Sequence, residues 1–536
     1  MLLEKAKVKL LGIIERITTP RNRQNVLIFG ASGGGHAQFD RIKRTHNVIG
    51  FIDNSVSKQG GSFLSRPVYS PADAVRLTFD RIVIASCYHA EIRRQLVEGI
   101  GIAPERISGL LVGNNSRLRV RAKLRQALSR SYFRTVLGLK HRSAAEFGVR
   151  VAGWFNDTYR SLKLLSVRWA DEQDEWVVST LAPEATVTVH GPAWVGRAQE
   201  RYTVTRPAIC LSRYRAATIN CSSNSVVQGD MILMSRVPDS ERCHADYSDA
   251  HVVAHGERLA LVRAVTPVEV ERGIAITGSA DMNYYHWMIE VVSKLAYLDR
   301  LDERYTKYPL LISEKALEIE AISRFIDHLN VDRDIIYLRS DERYQVKDLL
   351  TITPPNFLVP NFWIGLADRS RDAAADHYFD TASLQFIRRT ALSYLASKGL
   401  RKRVSRKIFL ARKGILRPYN QDEVWEVLKR DGFEAVHLED LSFAEQLLTL
   451  QEAEALVGPT GAAWTNLLFC EPGTKALCWM AEEYGDNPCY SNLAAEMQVD
   501  MSYLRYKTRS ICSAELYFGP YTISVAGVEQ WLSSIR

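Results

Sequence analysis

This chain of 536 residues lacks long apolar runs and closely spaced cysteine pairs. No apolar run approaches the ~18 residues that a helix needs to cross a bilayer. Charged residues interrupt the apolar ones at the N-terminus, so we predict no cleavable signal. The eight cysteines form no Cys-x-x-Cys pair, which argues against a cysteine metal site and favours reduced thiols. We therefore expect a cytoplasmic protein.

Positive charge is concentrated in two segments. Residues 1–25 hold six Lys and Arg against two Glu, and residues 117–142 hold nine Lys and Arg and no acidic residue. Because the net charge of the whole chain is only +8, the remainder is net acidic, which argues against a nucleic-acid partner. We interpret residues 1–20 as an amphipathic helix that contacts a membrane surface or packs on another domain or the second subunit of a homo-oligomer. Residues 116–150 are interpreted as a basic helical connector with a solvated face.

The next segment, residues 21–115, predicts a small α/β domain. A buried strand leads into a glycine-rich turn that includes Gly30, Gly33 and Gly35, and a second strand ends on Asp53. A glycine turn before a helix can bind phosphate, and an acidic residue about 20 positions later binds the ribose in dinucleotide-binding folds. The turn is not a strict Gly-x-Gly-x-x-Gly. Within this segment, no Tyr-x-x-x-Lys motif that would suit a dehydrogenase or an epimerase follows the turn. We therefore expect a structural or regulatory ligand-binding domain.

The C-terminal segment, residues 396–536, predicts one half of a nucleotide-binding α/β domain. Short β-type runs alternate with helical runs, which implies a parallel sheet. One run ends on Arg412 and Lys413, and a later run ends on the turn at residues 458–463. Ligands bind at the carboxyl ends of such strands, where backbone N–H groups and an arginine together suit a diphosphate. The alternative is that this turn is only a tight strand–helix connection.

A second informative pattern lies in residues 273–301, where a strand and a loop precede a helix. His286 and Glu290 are four residues apart, so they share one face of that helix. A carboxylate one turn away can fix the tautomer of an imidazole and raise its basicity. The pair suits a general base, with Asp281 as the nearest substitute. The alternative is a buried histidine that caps a turn beside a core Trp287.

Both segments carry motifs of a known family. In chain order these are Asn283, His286, Trp287, Arg412, Arg417, Asn420, Leu441-Ser442-Phe443, Glu445-Gln446, Gly458-Pro459, Gly461-Ala462, Thr465-Asn466-Leu467-Leu468-Phe469 and Pro472-Gly473-Thr474. In order and spacing, residues 180–510 resemble glycosyltransferase family 61, which includes bacterial capsular-polysaccharide glycosyltransferases and eukaryotic O-GlcNAc and xylosyl transferases. Thr460 stands where that family usually has His, and Cys478 stands where it usually has an acidic residue. The N-terminal domain resembles the small Rossmann-like domains of polysaccharide-biosynthesis proteins.

The resemblance implies an α/β protein with a two-Rossmann glycosyltransferase core of the B type, preceded by the separate Rossmann-like domain. Residues 151–395 would form the acceptor half, with Asn283 and Trp287 on the acceptor side, and residues 396–536 would bind the nucleotide sugar. The implied catalytic base is His286, supported by Glu290. The implied donor-binding residues are Arg412, Lys413, Arg417, Gly458, Thr460, Gly461, Ala462 and Asn466.

The implied reaction is the inverting transfer of a sugar from a nucleotide sugar to a glycan or lipid-linked acceptor. Its implied setting is bacterial cell-surface polysaccharide synthesis at the cytoplasmic face of the membrane. We expect no cofactor and no metal, because an arginine and helix-terminus dipoles can neutralise the leaving diphosphate. Two alternatives stay open. One is a non-catalytic scaffold in which Thr460 and Cys478 mark a decayed donor site, and the other is a bifunctional enzyme with a second nucleotide site at Gly30, Gly33, Gly35 and Asp53.

Overall fold

The computed structural model shows two compact units, which part between Leu128 and Ser129. The residues that the structure describes are 24–31, 35, 39, 42–43, 46–55, 58–74, 76–85, 89–109, 132–133, 135–155, 161–170, 175–235, 252–281, 283–329, 332–340, 342–358, 377–400, 404–412, 418–485, 487–508 and 519–536. The predicted N-terminal helix, residues 1–20, and the first part of the predicted connector, residues 116–131, lie outside this set.

The N-terminal unit is built on one sheet. Its elements are β1 (Asn25–Phe29), β2 (Asn47–Ile52), β3 (Ser62–Phe63), β4 (Arg66–Tyr69), α1 (Pro71–Ala74), β5 (Arg81–Ile84), α2 (His89–Arg94) with a π-helical extension (Gln95–Gly99), and β6 (Ile107–Gly109). The strand order is β3-β4-β2-β1-β5-β6, and every neighbouring pair is parallel except β3 with β4. Without β3, this order matches that of dinucleotide-binding sheets up to their fifth strand. The α/β prediction is confirmed, whereas the resemblance to polysaccharide-biosynthesis domains stays a prediction.

The glycine turn after β1 requires glycine at two positions. Gly30 has a φ of +115°, which side chains with a Cβ rarely adopt. A Cβ on Gly35 would collide with the carbonyl oxygen of Gly30 and would lie 3.3 Å from the ring of Phe51. Gly35 therefore lies directly against the backbone of Gly30.

We predict that Gly35→Ala destabilises the N-terminal unit by roughly 2 kcal/mol, because the added methyl group must displace the backbone of Gly30. Urea unfolding of the full chain, followed by circular dichroism, measures the change. Gly99→Ala is the matched control, since no heavy atom lies within 4 Å of its added methyl group. Equal unfolding midpoints for the two variants would contradict the prediction.

The C-terminal unit begins with a helix and a large mixed sheet. Its elements up to residue 352 are α3 (Arg142–Phe155), β7 (Leu162–Trp169), β8 (Val177–Ala182), β9 (Ala185–His190), β10 (Arg201–Arg206), β11 (Ile209–Ile219), β12 (Val226–Gln228), β13 (Met231–Met234), β14 (Val252–His255), β15 (Leu259–Arg263), β16 (Val268–Ile276), α4 (Tyr284–His286), β17 (Leu310–Ser313), α5 (Glu320–Leu329), β18 (Ile335–Leu338) and β19 (Tyr344–Ile352). The first sheet has the order β14-β15-β7-β13-β12-β11-β19-β16-β17-β18, with β8 also paired to β11. Strands β9 and β10 form a separate hairpin.

The first sheet is parallel at one end and mostly antiparallel over the rest. Strand β16 runs parallel to β17 and β19, and β17 runs parallel to β18, whereas β11 pairs antiparallel with β8, β12 and β19. The sequence predicts short strands from the β-type runs at residues 176–179, 186–190, 208–211 and 231–234, and these are confirmed as β8, β9, β11 and β13. Mixed α/β content is therefore confirmed for this half, while the two-Rossmann arrangement of the B type stays a prediction.

The last part of the chain forms a parallel sheet flanked by helices. It is preceded by β20 (Phe357–Leu358) and β21 (His377–Tyr378), which pair antiparallel with each other outside this sheet. Its own elements are α6 (Thr381–Ser397), β22 (Arg406–Leu410), α7 (Gln421–Arg430), β23 (Phe433–Val436), α8 (Phe443–Glu452), β24 (Ala453–Pro459), a 3₁₀ helix (Ala462–Phe469), β25 (Lys475–Ala481), α9 (Cys489–Glu496), β26 (Asp500–Tyr506) and α10 (Val525–Ile535). The order is β23-β22-β24-β25-β26, with every pair parallel. The order reverses between β22 and β24, so the switch point at which open α/β sheets bind ligands lies between the ends of those strands.

The sequence predicts Asn420 as the N-cap of one helix and a long helix over residues 376–400. Asn420 does occupy the N-cap position of α7, but its side chain makes no capping hydrogen bond. Instead it exchanges two hydrogen bonds with the backbone of Ile523, at 2.8 and 3.0 Å. The helix predicted over residues 376–400 begins only at Thr381, because the Asp380 carboxylate accepts from the N–H of Ser383 at 2.9 Å and caps it there.

One hydrophobic core joins the two sheets of the C-terminal unit. Its members include Ile209, Leu211, Ile274, Ile276 and Leu350 from the first sheet, and Phe409, Leu456, Leu477 and Tyr503 from the second. The helices between the sheets contribute side chains to the same core, so the two sheets pack as one body. No helix within the described ranges is both long and apolar enough to cross a bilayer.

Candidate active site

Two strand ends meet at the switch point of the parallel sheet. Arg412 follows β22, and the turn of Thr460 and Gly461 follows β24. The guanidinium of Arg412 donates through Nη2 to the carbonyl oxygen of Thr460. A Cβ on Gly461 would lie 3.1 Å from the same nitrogen. Glycine at this position therefore lets the arginine lie directly against the backbone of the turn.

Strand β24 also needs a glycine to approach β22. A Cβ on Gly458 would lie 2.8 Å from the Cβ of Leu410, closer than real Cβ contacts allow. Gly458 and Gly461 thus bring the end of β24 toward the strand that carries Arg412.

The backbone of Arg412 is held by a residue that sequence reasoning missed. Gln421, the first residue of α7, accepts from the N–H of Arg412 at 3.0 Å and donates to its carbonyl oxygen at 3.3 Å. Nothing in the sequence singled out this glutamine, since the reach from α7 back to the strand end depends on how the intervening loop folds.

No carboxylate among the described residues pairs with the Arg412 guanidinium. Cys478, which stands where the family resemblance implies an acid, is fully buried in the neighbouring strand β25. Burial raises the pKa of the Cys478 thiol well above its usual value, and the positive charge of Arg412 offsets only part of that rise. The thiol is therefore neutral, so Cys478 supplies no counter-ion to Arg412, and neither does any other residue that the structure describes.

The predicted donor-binding residues are only partly brought together. Arg412, Gly458, Thr460 and Gly461 converge as described above, and Ala462 begins the 3₁₀ helix that follows the turn. Thr460 is buried, and its N–H donates to the carbonyl oxygen of Trp479 at 3.1 Å. Lys413 and Arg417 lie outside the described residues.

The predicted base lies in an irregular helix. Tyr284–His286 is one α-helical turn, Trp287–Val291 is a π-helical turn, and Val292–Arg300 is a 3₁₀ helix. Asn283 caps its start by accepting from the N–H of Tyr285 at 2.9 Å, and the buried indole of Trp287 donates to the carbonyl oxygen of Asp281. Asn283 and Trp287, predicted on the acceptor side, therefore hold the segment that carries His286. Short π-helical turns of this kind are frequent at functional sites.

His286 and Glu290 form the predicted pair. The Nδ1 atom of His286 lies 2.5 Å from Oε2 of Glu290, and the other carboxylate oxygen accepts from the N–H of Leu358 at 3.2 Å. The side chain of Glu290 is only 2% exposed and that of His286 is 20% exposed. A buried carboxylate on Nδ1 keeps the proton there and leaves Nε2 as the basic atom. That atom makes no hydrogen bond to any described residue.

Two hydrogen bonds join the base-bearing helix to the donor half. The hydroxyl of Tyr284 donates to Oδ1 of Asn466 at 3.1 Å, and Asn466 lies in the 3₁₀ helix that begins directly after Gly461. The hydroxyl of Tyr285 donates to the carbonyl oxygen of Cys489 at 2.7 Å. The predicted base and the predicted diphosphate turn are thus fixed to the same short helix.

Asp281, the predicted substitute base, has a different environment. Its side chain is buried and accepts from the hydroxyl of Ser313 at 2.5 Å, with the thiol of Cys221 at 3.6 Å. Burial, with the nearby charge of Asp281, raises the pKa of that thiol to about 12. These contacts tie Asp281 to the ends of neighbouring strands, and its catalytic role stays a prediction.

The predicted N-terminal nucleotide site is partly occupied by its own side chain. The Asp53 carboxylate accepts from the N–H of Ala31 at 2.8 Å and from that of Ser55 at 2.9 Å. A ribose hydroxyl that bound the Asp53 carboxylate would have to compete with these backbone N–H groups, or share the carboxylate oxygens with them. Gly33 lies outside the described residues, and ligand binding by this domain stays a prediction.

No group of three metal-ligating side chains occurs in the part of the chain that the structure describes.

Sequence reasoning also missed Lys294, which lies on the same helix as the pair. Its ammonium donates to Oδ1 of Asn224 at 2.7 Å and to the carbonyl oxygen of Thr277 at 2.8 Å, and the residue is 3% exposed. Burial lowers the pKa of Lys294 to about 7, while the charge of Glu290 acts in the opposite direction. The sequence did contain a signal for this residue, because Lys294 stands among apolar residues of its helix, where a charged side chain is unusual.

We predict that Lys294 gives the chain a distinct pH dependence of stability. Below pH ~7 the folded and unfolded states both bind the proton, whereas between that pH and the unfolded value of 10.5 the unfolded state binds more protons. Stability therefore rises with pH in this window. Relative to Lys294→Met, the wild type should gain about 2 kcal/mol between pH ~7 and ~9 in urea unfolding. A constant difference between the two proteins would contradict the prediction.

Comparisons with known proteins agree with part of the family resemblance. Residues 284–477 match the family model described as Glycosyltransferase 61, a narrower span than the resemblance itself. Residues 22–108 match the model described as C2185-like, N-terminal. No curated protein matches the chain. The first match supports a glycosyltransferase domain of family 61, and it contains His286, Glu290, Arg412 and the turn after β24.

Proposed function

We propose that this protein transfers a sugar from a nucleotide-sugar donor to a hydroxyl of a glycan or lipid-linked acceptor, with inversion at the anomeric carbon. The observation that carries the proposal is the contact between Arg412 and the turn of Thr460 and Gly461 at the switch point of the parallel sheet. The turn leads into the 3₁₀ helix Ala462–Phe469, whose first backbone N–H groups have no partner within the helix. A fork-shaped cation beside such a helix start at the strand ends suits the diphosphate of a sugar nucleotide. Neutralising the leaving diphosphate in this way supplies the electrostatic part of catalysis.

The acceptor hydroxyl would lose its proton to Nε2 of His286. Glu290 holds the other ring nitrogen, so the imidazole presents its lone pair on the free side. Because Tyr284 is hydrogen-bonded to Asn466, the base and the diphosphate turn keep their spacing when substrate is absent. The setting we propose is cell-surface polysaccharide synthesis at the cytoplasmic side of the membrane.

The donor-binding part of the proposal is tested with a panel of sugar nucleotides by isothermal titration of the full chain. We expect one donor to bind, and Arg412→Ala to weaken it at least about tenfold, because a charge-assisted hydrogen bond to the diphosphate is lost. Arg406→Ala is the matched control. It removes an arginine from the other end of β22, where Arg406 pairs with Glu434 and Glu452, so donor affinity should not change.

The outcomes of that titration separate the alternatives. Absence of binding by every nucleotide would favour a scaffold with a decayed donor site. Equal affinity in Arg412→Ala and wild type would place the donor elsewhere. Two bound nucleotides per chain would favour a bifunctional enzyme with a second site in the N-terminal unit.

The catalytic part is tested by sugar transfer with the donor so identified. We expect His286→Ala to lower kcat by ~10²- to 10⁴-fold, the usual contribution of a general base, with little change in donor affinity. Glu290→Gln should lower kcat less, since Nε2 remains. His328→Ala, which removes a histidine bonded to Ser393 on the surface, is the control. An unchanged kcat in His286→Ala would exclude it as the base.

A further inference from the structure

A cavity of about 300 Å³ lies on the first sheet of the C-terminal unit, apart from the contact of Arg412 with its turn. Strands alternate their side chains between two faces. In β11, Ile209 and Leu211 belong to the shared core. The alternate residues of the same strand, Cys210 and Ser212, line the cavity. The cavity therefore opens on the face of the sheet that turns away from that core.

Small side chains in one row across three strands create the space. Ser212 of β11 pairs with Thr351 of β19, and Thr351 pairs with Ala275 of β16. All three line the cavity. Buried sheet faces are normally filled by large apolar side chains, so a row of Ser, Thr and Ala leaves room above the sheet.

The wall chemistry is mixed. Hydroxyls come from Ser212, Ser225 and Thr351, and apolar surface comes from Val226 and Leu233. A cavity with a few polar groups set among apolar side chains is typical of a site for a small ligand. A sugar ring offers the complementary surface, because its hydroxyls lie around the rim and its C–H bonds form the faces.

Lys294 provides the charge of the site. It lines the cavity from the helix that carries His286, and Asn224 and Thr277 accept two of its hydrogen bonds. An ammonium has three donors, so the described residues leave one of them for a ligand. The other charged lining residue among those described, Glu184, is exposed. An anionic group bound at the buried end would form a short charge-assisted contact with the ammonium.

We propose that this cavity binds a monosaccharide-sized, polyhydroxylated anion, a sugar carboxylate or a sugar phosphate, whose negative group pairs with Lys294. The volume would hold about ten water molecules at ~30 Å³ each, which suits one sugar ring and is too small for a nucleotide sugar. Burial lowers the pKa of Lys294 to about 7, so a bound anion would compensate the charge that the protein itself leaves poorly solvated. The proposal does not depend on the donor site at Arg412.

Isothermal titration of the full chain with D-glucuronate, glucose 1-phosphate, D-glucose and acetate tests the proposal. We expect at least one of the two sugar anions to bind about tenfold or more tightly than glucose and acetate. The stronger of the two identifies carboxylate or phosphate as the recognised group. Lys294→Met should weaken that binding at least about tenfold, and Arg412→Ala should leave it unchanged, which separates this cavity from the donor site.

Two further variants protect the test from a folding defect. Ala208→Phe fills the cavity from a half-buried lining position without touching the lysine, and it should also abolish binding. Lys347→Met, which removes an exposed lysine from β19, should bind as the wild type does. Failure of both sugar anions to bind, equal binding of glucose, equal binding of acetate, or full binding by Ala208→Phe would each overturn the proposal.

Discussion

The proposed function depends on one contact, in which Arg412 lies against a backbone turn where the strand order reverses. Arg412 has no carboxylate partner among the described residues, and Cys478, which stands where the family resemblance implies an acid, is a buried neutral thiol. Arg412 is half-buried, and a cation that loses part of its water is stabilised by an anionic partner. With a thiol in place of the acid, no described residue compensates the positive charge of Arg412.

In the proposed mechanism, the rest of the C-terminal unit holds His286 as the base that acts together with that turn. The His286 helix begins at an asparagine cap, passes through a π-helical turn, and is bonded through Tyr284 to Asn466. The asparagine cap and the Tyr284 hydrogen bond hold this helix in place through side chains that have a structural role. The catalytic geometry therefore depends on side chains that touch no substrate, which explains why several family-motif positions, such as Trp287, are buried in the core.

Much of the parallel sheet could be predicted because its signals are local. A capping box of Ser442 and Glu445 begins α8, and Gly432, which has a positive φ, follows α7. Each signal lies in residues next to the helix end that it marks. The first sheet was harder, because β11 pairs with β19 more than a hundred residues later in the chain, and such pairing leaves no trace in local patterns. The contacts of Gln421, Asn420 and Lys294 were missed for the same reason, since each joins segments that only the folded chain brings together.

The single core beneath both sheets limits how the enzyme can move. Moving the two sheets of the C-terminal unit apart would expose apolar side chains to water. The free-energy cost is roughly 25 cal/mol for every Å² of apolar surface uncovered, which opposes wide opening. Under the proposed function, substrates would bind without a wide closing motion of the two sheets, so binding energy would not be consumed in closing them. Turnover would then depend on loops and side chains around the substrates, with the two sheets at a fixed separation.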